Sequence, residues 1–221
     1  MSAERTRIAL IHATPVAVEP IAQSFRELWP EAETIGILDD GLAIDRAAAG
    51  ELTEPLSNRI RALAAYGVST QARAILFTCS AFGPAIEAAA RELPIPVLKP
   101  NEAMFEEALG LGGDIGMVAT FGPAIAGMEE EFAEEARLLK REARLTTRLA
   151  QGAIEALRGQ DAQTHNRLVA ERAAALGQRD AILLAHFSTS RALDACRAAT
   201  GCPVLSSPDA AVRKLSRLLG A

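Results

Sequence analysis

Short apolar runs that end in polar residues alternate along the chain with longer segments whose apolar positions recur at helical spacing. RIALIHA (7–13), ETIGILDD (33–40), RAILFTC (73–79) and IPVLKP (95–100) read as strands. EPIAQSFREL, TEPLSNRIRALAAYG and PAIEAAAREL between them read as helices. Strands alternating with helices of this length predict βαβ units around a parallel sheet, so the expected class is α/β.

The second half of the chain repeats the order of the first. RAILFTCSAFGPAIEAAARELPIPVLKPNEA, from Arg73, lies over DAILLAHFSTSRALDACRAATGCPVLSSPDA, from Asp180, with no gap and a shift of 107 residues. The same shift carries RIALIHA at Arg7 onto DIGMVAT at Asp114. One constant shift at both ends argues for two duplicated, pseudo-symmetric α/β halves, each a short, mostly parallel sheet flanked by helices. The expected halves are residues 1–99 and 100–206, with a closing helix at 207–219 packing back on the first. PNEAMFEEALGLGGD is the junction, with Asn101 as a helix cap. EEEFAEEARLLKREARLTTRLAQGAIEALRG reads locally as one long helix whose acidic start is solvated. The shift instead sets Glu142–Leu145 over Ile35–Leu38 and predicts a break into helix, short strand and helix.

Composition narrows the picture. Hydrophobic residues make up 49% and aromatic residues 4%, so the core must be built from Ala, Leu, Ile and Val. A formal net charge of -5 provides no basic footprint for nucleic acid. No apolar stretch approaches the roughly 18 residues that would cross a membrane. The N-terminal run leads into a strand rather than a signal-peptide cleavage site. Three cysteines, an odd number without metal-ligand spacing, suggest a reduced cytoplasmic setting and no metal. LGLGG at 109–113 precedes a strand rather than following one, which excludes a dinucleotide fingerprint.

Ligands of open parallel sheets bind at the carboxyl ends of the strands. Those ends carry Thr14 with Pro15, Asp39, Cys79 and Lys99 with Asn101 in the first half. In the second they carry Thr120 with Phe121, Thr146, His186 and Ser206 with Ser207. The shift places Cys79 on His186, and halves packed face to face would set both around one cleft. Ser80, Ala81 and a helical pattern with Pro84 in its first turn follow Cys79. A helix N-terminus lowers a thiol pKa, and its N–H groups, with the Ser80 hydroxyl, suit a carboxylate. Phe187, Ser188, Thr189 and Ser190 form the matching turn after His186, whose imidazole can exchange a proton near neutrality.

Blander readings stand beside these. Cys79 could be a buried strand-end thiol and His186 a hydrogen-bonded structural histidine. Thr14, Thr120, Asp39 and Asp40 could simply form turns. His12 and His165 show no convincing partner. Cys196 and Cys202 fall on Ala89 and Ile95 and read as packing residues.

IHATPVAVEP, LDDGL, LFTCSAFG, MVATFGP and CPVLSSPDAAVRKL, in that order and with the duplication, resemble the aspartate/glutamate/hydantoin racemase superfamily over essentially the whole chain. Racemases of that superfamily use two cysteines, one from each half, on opposite faces of the substrate α-carbon. Here only Cys79 matches, and His186 stands at the second position. The resemblance implies a cofactor-independent racemase- or epimerase-like isomerase of a small carboxylic acid, amino acid or hydantoin. Cys79 and His186 would transfer the protons, with the flanking strand-end residues around the substrate. No metal, pyridoxal phosphate or nucleotide is implied. The alternatives are a cysteine-dependent decarboxylase of malonate-type acids, a cis–trans isomerase of a small dicarboxylic acid, and a non-catalytic small-acid binder. The alanine-rich helix faces would permit a homodimer.

Overall fold

A computed structural model of the chain describes residues 5–220. The first half runs β1 (Arg7–His12), α1 (Val18–Leu28), β2 (Glu33–Leu38), α2 (Gly41–Ala49), α3 (Glu54–Ser69), β3 (Ala74–Phe77), α4 (Gly83–Glu92) and β4 (Val97–Leu98). The chain continues with α5 (Glu102–Leu111), β5 (Asp114–Ala119), α6 (Ile125–Leu138), β6 (Arg144–Leu149), α7 (Ala153–Arg158) and α8 (Ala162–Ala174). Then come β7 (Ala181–Leu184), α9 (Leu193–Ala199), β8 (Val204–Ser206) and α10 (Ser207–Leu219). Two four-stranded sheets result, ordered β2-β1-β3-β4 and β6-β5-β7-β8, and every pairing is parallel. By internal contacts the chain divides into two units. One holds the residues up to Pro100 together with those from Ala211 onward, the other Asn101–Ala210.

The central strands read as unbroken apolar runs because helices cover both their faces. In the first unit, Ala9, Ile11, Ile75 and Phe77 pack against Leu42 of α2, Leu56, Ile60 and Ala64 of α3, and Ile86 of α4. In the second, Val118, Ile182 and Leu184 pack against Ala153, Val169, Ala173 and Cys196 from α7–α9. Met117 and Leu183 on the opposite face meet Met104 and Phe105 of α5 and Phe132 of α6. Phe105 and Phe132 meet edge to face, with ring centroids 5.5 Å apart. Thus α5, which follows the first sheet in sequence, packs on the second.

The expected break in the long helical-looking segment is present, but its strand lies four residues late. β2 starts 26 residues after β1 (33 − 7), whereas β6 starts 30 after β5 (144 − 114). The difference is recovered before β7, which starts 37 residues after β6 (181 − 144), against 41 from β2 to β3 (74 − 33). α6 has 14 residues to α1's 11, while α7 and α8 have 6 and 13 to the 9 and 16 of α2 and α3. Thr146 therefore lies inside β6 beside Gly116 rather than at a strand end. Ala150 is the true counterpart of Asp39, each donating its N–H to the last residue of the central strand: Asp39 to His12 at 3.0 Å, Ala150 to Ala119 at 2.8 Å.

Two further departures concern single elements. α2 goes unmarked in the sequence, because only Leu42 on it is buried and no apolar face announces it. It closes on Gly50 at φ 72, the left-handed cap that glycine adopts without strain. Asn101 occupies the cap position of α5 but makes no capping bond. Its side chain accepts from Ser207 Oγ at 2.9 Å and donates to Glu131 at 3.4 Å, so the buried amide ties α5 to the start of α10 and to α6.

Candidate functional site

In the first unit β3 delivers Cys79 to a turn. Cys79 is extended (φ -130, ψ 123) and precedes a 3-10 turn, Ser80–Phe82, that runs directly into α4. Pro84 lies in the first turn of α4, as its fixed φ favours. Phe82, 1% exposed, anchors the turn in the core, while Cys79 and Ser80 are half-buried and Ala81 is exposed. No disulfide engages any of the three cysteines. Thr14 is extended and Pro15 opens a second 3-10 turn after β1. β1 and β3 are neighbours, so the Thr14–Pro15 and Cys79–Ala81 turns leave adjacent strands.

Asp39 follows β2, which flanks β1 on the side away from β3. Its carboxylate accepts from Arg59 Nη2 at 2.6 Å and from Nε at 3.2 Å, and Arg59 also pairs with Asp45. Both acidic partners, Asp39 first, hold the guanidinium pKa above its ordinary value. Gly41 makes room for the pair, since a Cβ there would lie 3.2 Å from Arg59 and 3.3 Å from Asp39. Asp39 is therefore committed to α3 through Arg59. Arg46 of α2 donates to the Ala81 carbonyl at 3.3 Å and so tethers α2 to the Cys79 turn.

In the second unit β7 delivers His186 to the equivalent strand end, but in a different backbone state. His186 adopts φ 70, ψ 147, a left-handed conformation that strains a residue with a Cβ. A 3-10 turn, Phe187–Ala192, follows it, with Phe187, Ser188 and Thr189 all buried. The His186 Nε2 is buried and finds no hydrogen-bond partner among the described residues. Burial pushes the His186 pKa down to about 4, so the imidazole is neutral at pH 7. Thr120, at the end of the neighbouring β5, is buried and lies 3.4 Å from Thr189 Oγ1. Phe121 beside it is 45% exposed.

The strand-end residues thus gather into two groups, Thr14, Pro15 and Cys79–Ala81 in one unit and Thr120, Phe121 and His186–Ser188 in the other. Asp39 stands apart in its ion pair. Sequence reasoning missed Arg59, Arg46 and the partner of His12. His12 and Thr78 are both buried, and His12 Nδ1 lies 2.9 Å from Thr78 Oγ1. The parallel register sets these two side by side just past the last β1–β3 pair, Ile11 with Phe77. No local sequence pattern marks the contact, since the two residues lie 66 apart along the chain. His165 also has a partner, Asn166 at 2.8 Å, and burial lowers its pKa against that contact. Among the described residues no cluster of His, Cys, Asp and Glu is placed to hold a metal, and no helix is long and apolar enough to cross a membrane.

The family model for Asp/Glu/Hydantoin racemase matches residues 13–185. Among solved structures, an aspartate racemase homologue from Pyrococcus horikoshii OT3 is 15% identical, with a TM-score of 0.73 over 98% of this chain and 100% of that one. Allantoin racemase from Pseudomonas fluorescens is 20% identical, with a TM-score of 0.69 over 97% of this chain and 92% of that one. A glycine-to-cysteine mutant of arylmalonate decarboxylase, in its sulfate-associated form, is 21% identical, with a TM-score of 0.65 over 97% and 94%. At these identities the structural likeness is one of fold. No curated protein matches the sequence.

Proposed function

The chain belongs to the Asp/Glu/hydantoin racemase family, whose members are isomerases, and we propose that it removes and returns a proton at the α-carbon of a small carboxylic acid, amino acid or hydantoin. The carrying observation is that Cys79 and His186 occupy equivalent strand ends, each just ahead of a 3-10 turn. In the proposed reaction the two divide the proton transfers between them. Neutral His186 takes the α-proton, and the bond electrons pass into an enolate-like carboxylate. The Cys79 thiol returns a proton, and return with inversion of configuration gives the racemised product, leaving thiolate and imidazolium. Transfer in the opposite sense, or exchange with water, restores the resting pair. Main-chain N–H groups of the turns after Cys79 and His186, with the Ser80 and Ser188 hydroxyls, would hold the carboxylate and its developing charge. Thr14, Pro15, Ala81, Thr120, Phe121 and Phe187 would shape the pocket around it.

The reading needs no cofactor. It suits a cytoplasmic enzyme with a reduced thiol, and exposed Leu38 and Ile44 offer apolar surface for a homodimer. Solvent deuterium incorporation at the α-carbon tests it, with aspartate, glutamate, allantoin and aryl-substituted acids as probes in heavy water. The expected result is incorporation into one of them that Cys79→Ala abolishes. Incorporation unchanged by that substitution would remove Cys79 from the chemistry.

A second reading draws on the likeness to arylmalonate decarboxylase and on the single matched cysteine. Cys79 alone would protonate the carbanion left when a malonate-type acid loses carbon dioxide. Carbon dioxide release insensitive to His186→Ala would favour it over proton exchange.

A further inference from the structure

The duplication supplies a control within the molecule. The backbone at the end of β3 and of β7 is tied in the same way in both halves. Thr78 N–H donates to the Ile11 carbonyl at 3.0 Å, and its counterpart Ala185 donates to Val118 at 2.9 Å. One residue on, Asp39 and Ala150 cap His12 and Ala119 in the same fashion. The side chains differ. The first half buries His12 and Thr78, hydrogen-bonded at 2.9 Å, where the second buries Ala119 and Ala185, both 0% exposed. The fold therefore does not need a polar pair at this place. A buried imidazole and hydroxyl carry a desolvation penalty that two alanines do not.

The next residue along the chain differs in its backbone as well. Cys79 continues extended at φ -130, while His186, after the alanine, turns to φ 70. Side chains alternate across a strand, and Cys79 packs with the Ile11–Phe77 cluster on one face. His12 and Thr78 belong to the other face, so they reach the thiol only through the main chain.

We propose that His12 and Thr78 form a latch that fixes the end of β3 and thereby aims Cys79, making both positioning residues for the thiol. Thr78 Oγ1 also lies 3.4 Å from the Ile11 carbonyl, so one hydroxyl holds both the imidazole and the β1 main chain. The latch rests on the reading of Cys79 as the reacting group, and its test is independent of turnover.

Alkylation of Cys79 by iodoacetamide is followed in the intact protein by mass spectrometry, which scores Cys202 separately as a control. Thr78→Val keeps the shape and removes the hydroxyl. It should change the Cys79 rate about tenfold or more, as misaimed reacting groups do, and leave the Cys202 rate unchanged. His12→Leu should act in the same way. His12→Asn, whose side-chain amide keeps a hydrogen-bonding group near the Nδ1 position, should restore a rate within about twofold of the parent, since the bond to Thr78 is retained. A Thr78→Val rate equal to the parent's, or a His12→Asn rate as altered as that of His12→Leu, would overturn the latch. A latch response without any deuterium incorporation would remove the proposed reaction and leave the positioning role standing.

Discussion

At His186 two unfavourable features coincide in one residue, a left-handed backbone and a buried imidazole nitrogen with no partner among the described residues. Strained backbone of this kind persists where function requires it and costs on the order of 1–3 kcal/mol. Glycine relieves that strain and alanine does not. His186→Gly should therefore be more stable than His186→Ala by about 1 kcal/mol, read from urea midpoints, and both should lose deuterium incorporation. Equal midpoints would mean that the backbone at 186 relaxes once the imidazole is gone. The equivalent strand-end places of Cys79 and His186 were legible in the sequence because the 107-residue shift needed only strand ends. The conformation at 186 was not, since no local residue pattern marks a left-handed histidine. The role of His12 was hidden for the same reason: its partner lies 66 residues away, and the parallel register alone brings them together.

At the scale of elements, the strands and most helices were readable because apolar periodicity survives in each. The exact start of β6 was not. A gap-free shift fixes order, and compensating changes in helix length leave the total unchanged while sliding the strand between them. Gly113 records the consequence. A Cβ there would lie 2.7 Å from the Glu142 carbonyl, just ahead of the β6 start, where Arg144 N–H donates to the Gly113 carbonyl at 2.7 Å. Its counterpart in the first half is Thr6, whose carbonyl accepts from Glu33 at 2.9 Å. Gly113→Ala should destabilise the protein by roughly 1–3 kcal/mol through overpacking against main chain, while Thr6→Ala stays within about 0.5 kcal/mol. Denaturant unfolding of the two variants compares them directly. A mild Gly113→Ala would mean that the β6 entry has room to move.

For the molecule as a whole, two of its three histidines have pKa values pushed down by burial to about 4, and the third is lowered as well. In the unfolded chain each returns toward 6.5. Between those values the unfolded state binds more protons, so stability is full above about pH 6.5 and falls as pH drops toward 4. The urea midpoint should decline over that window, and His186→Gly should flatten part of the decline. A midpoint constant from pH 7 to 4 would contradict neutral buried imidazoles.

The grouping of the residues from Ala211 onward with those before Pro100 bears on the order of synthesis. The second unit is one continuous stretch of chain and is complete as soon as Ala210 has left the ribosome. The first unit, although begun earlier, lacks Ala211, Val212 and Leu215, all 0% exposed in the fold, until that later stretch emerges. The half that carries Cys79 is therefore the later of the two to gain every residue it buries.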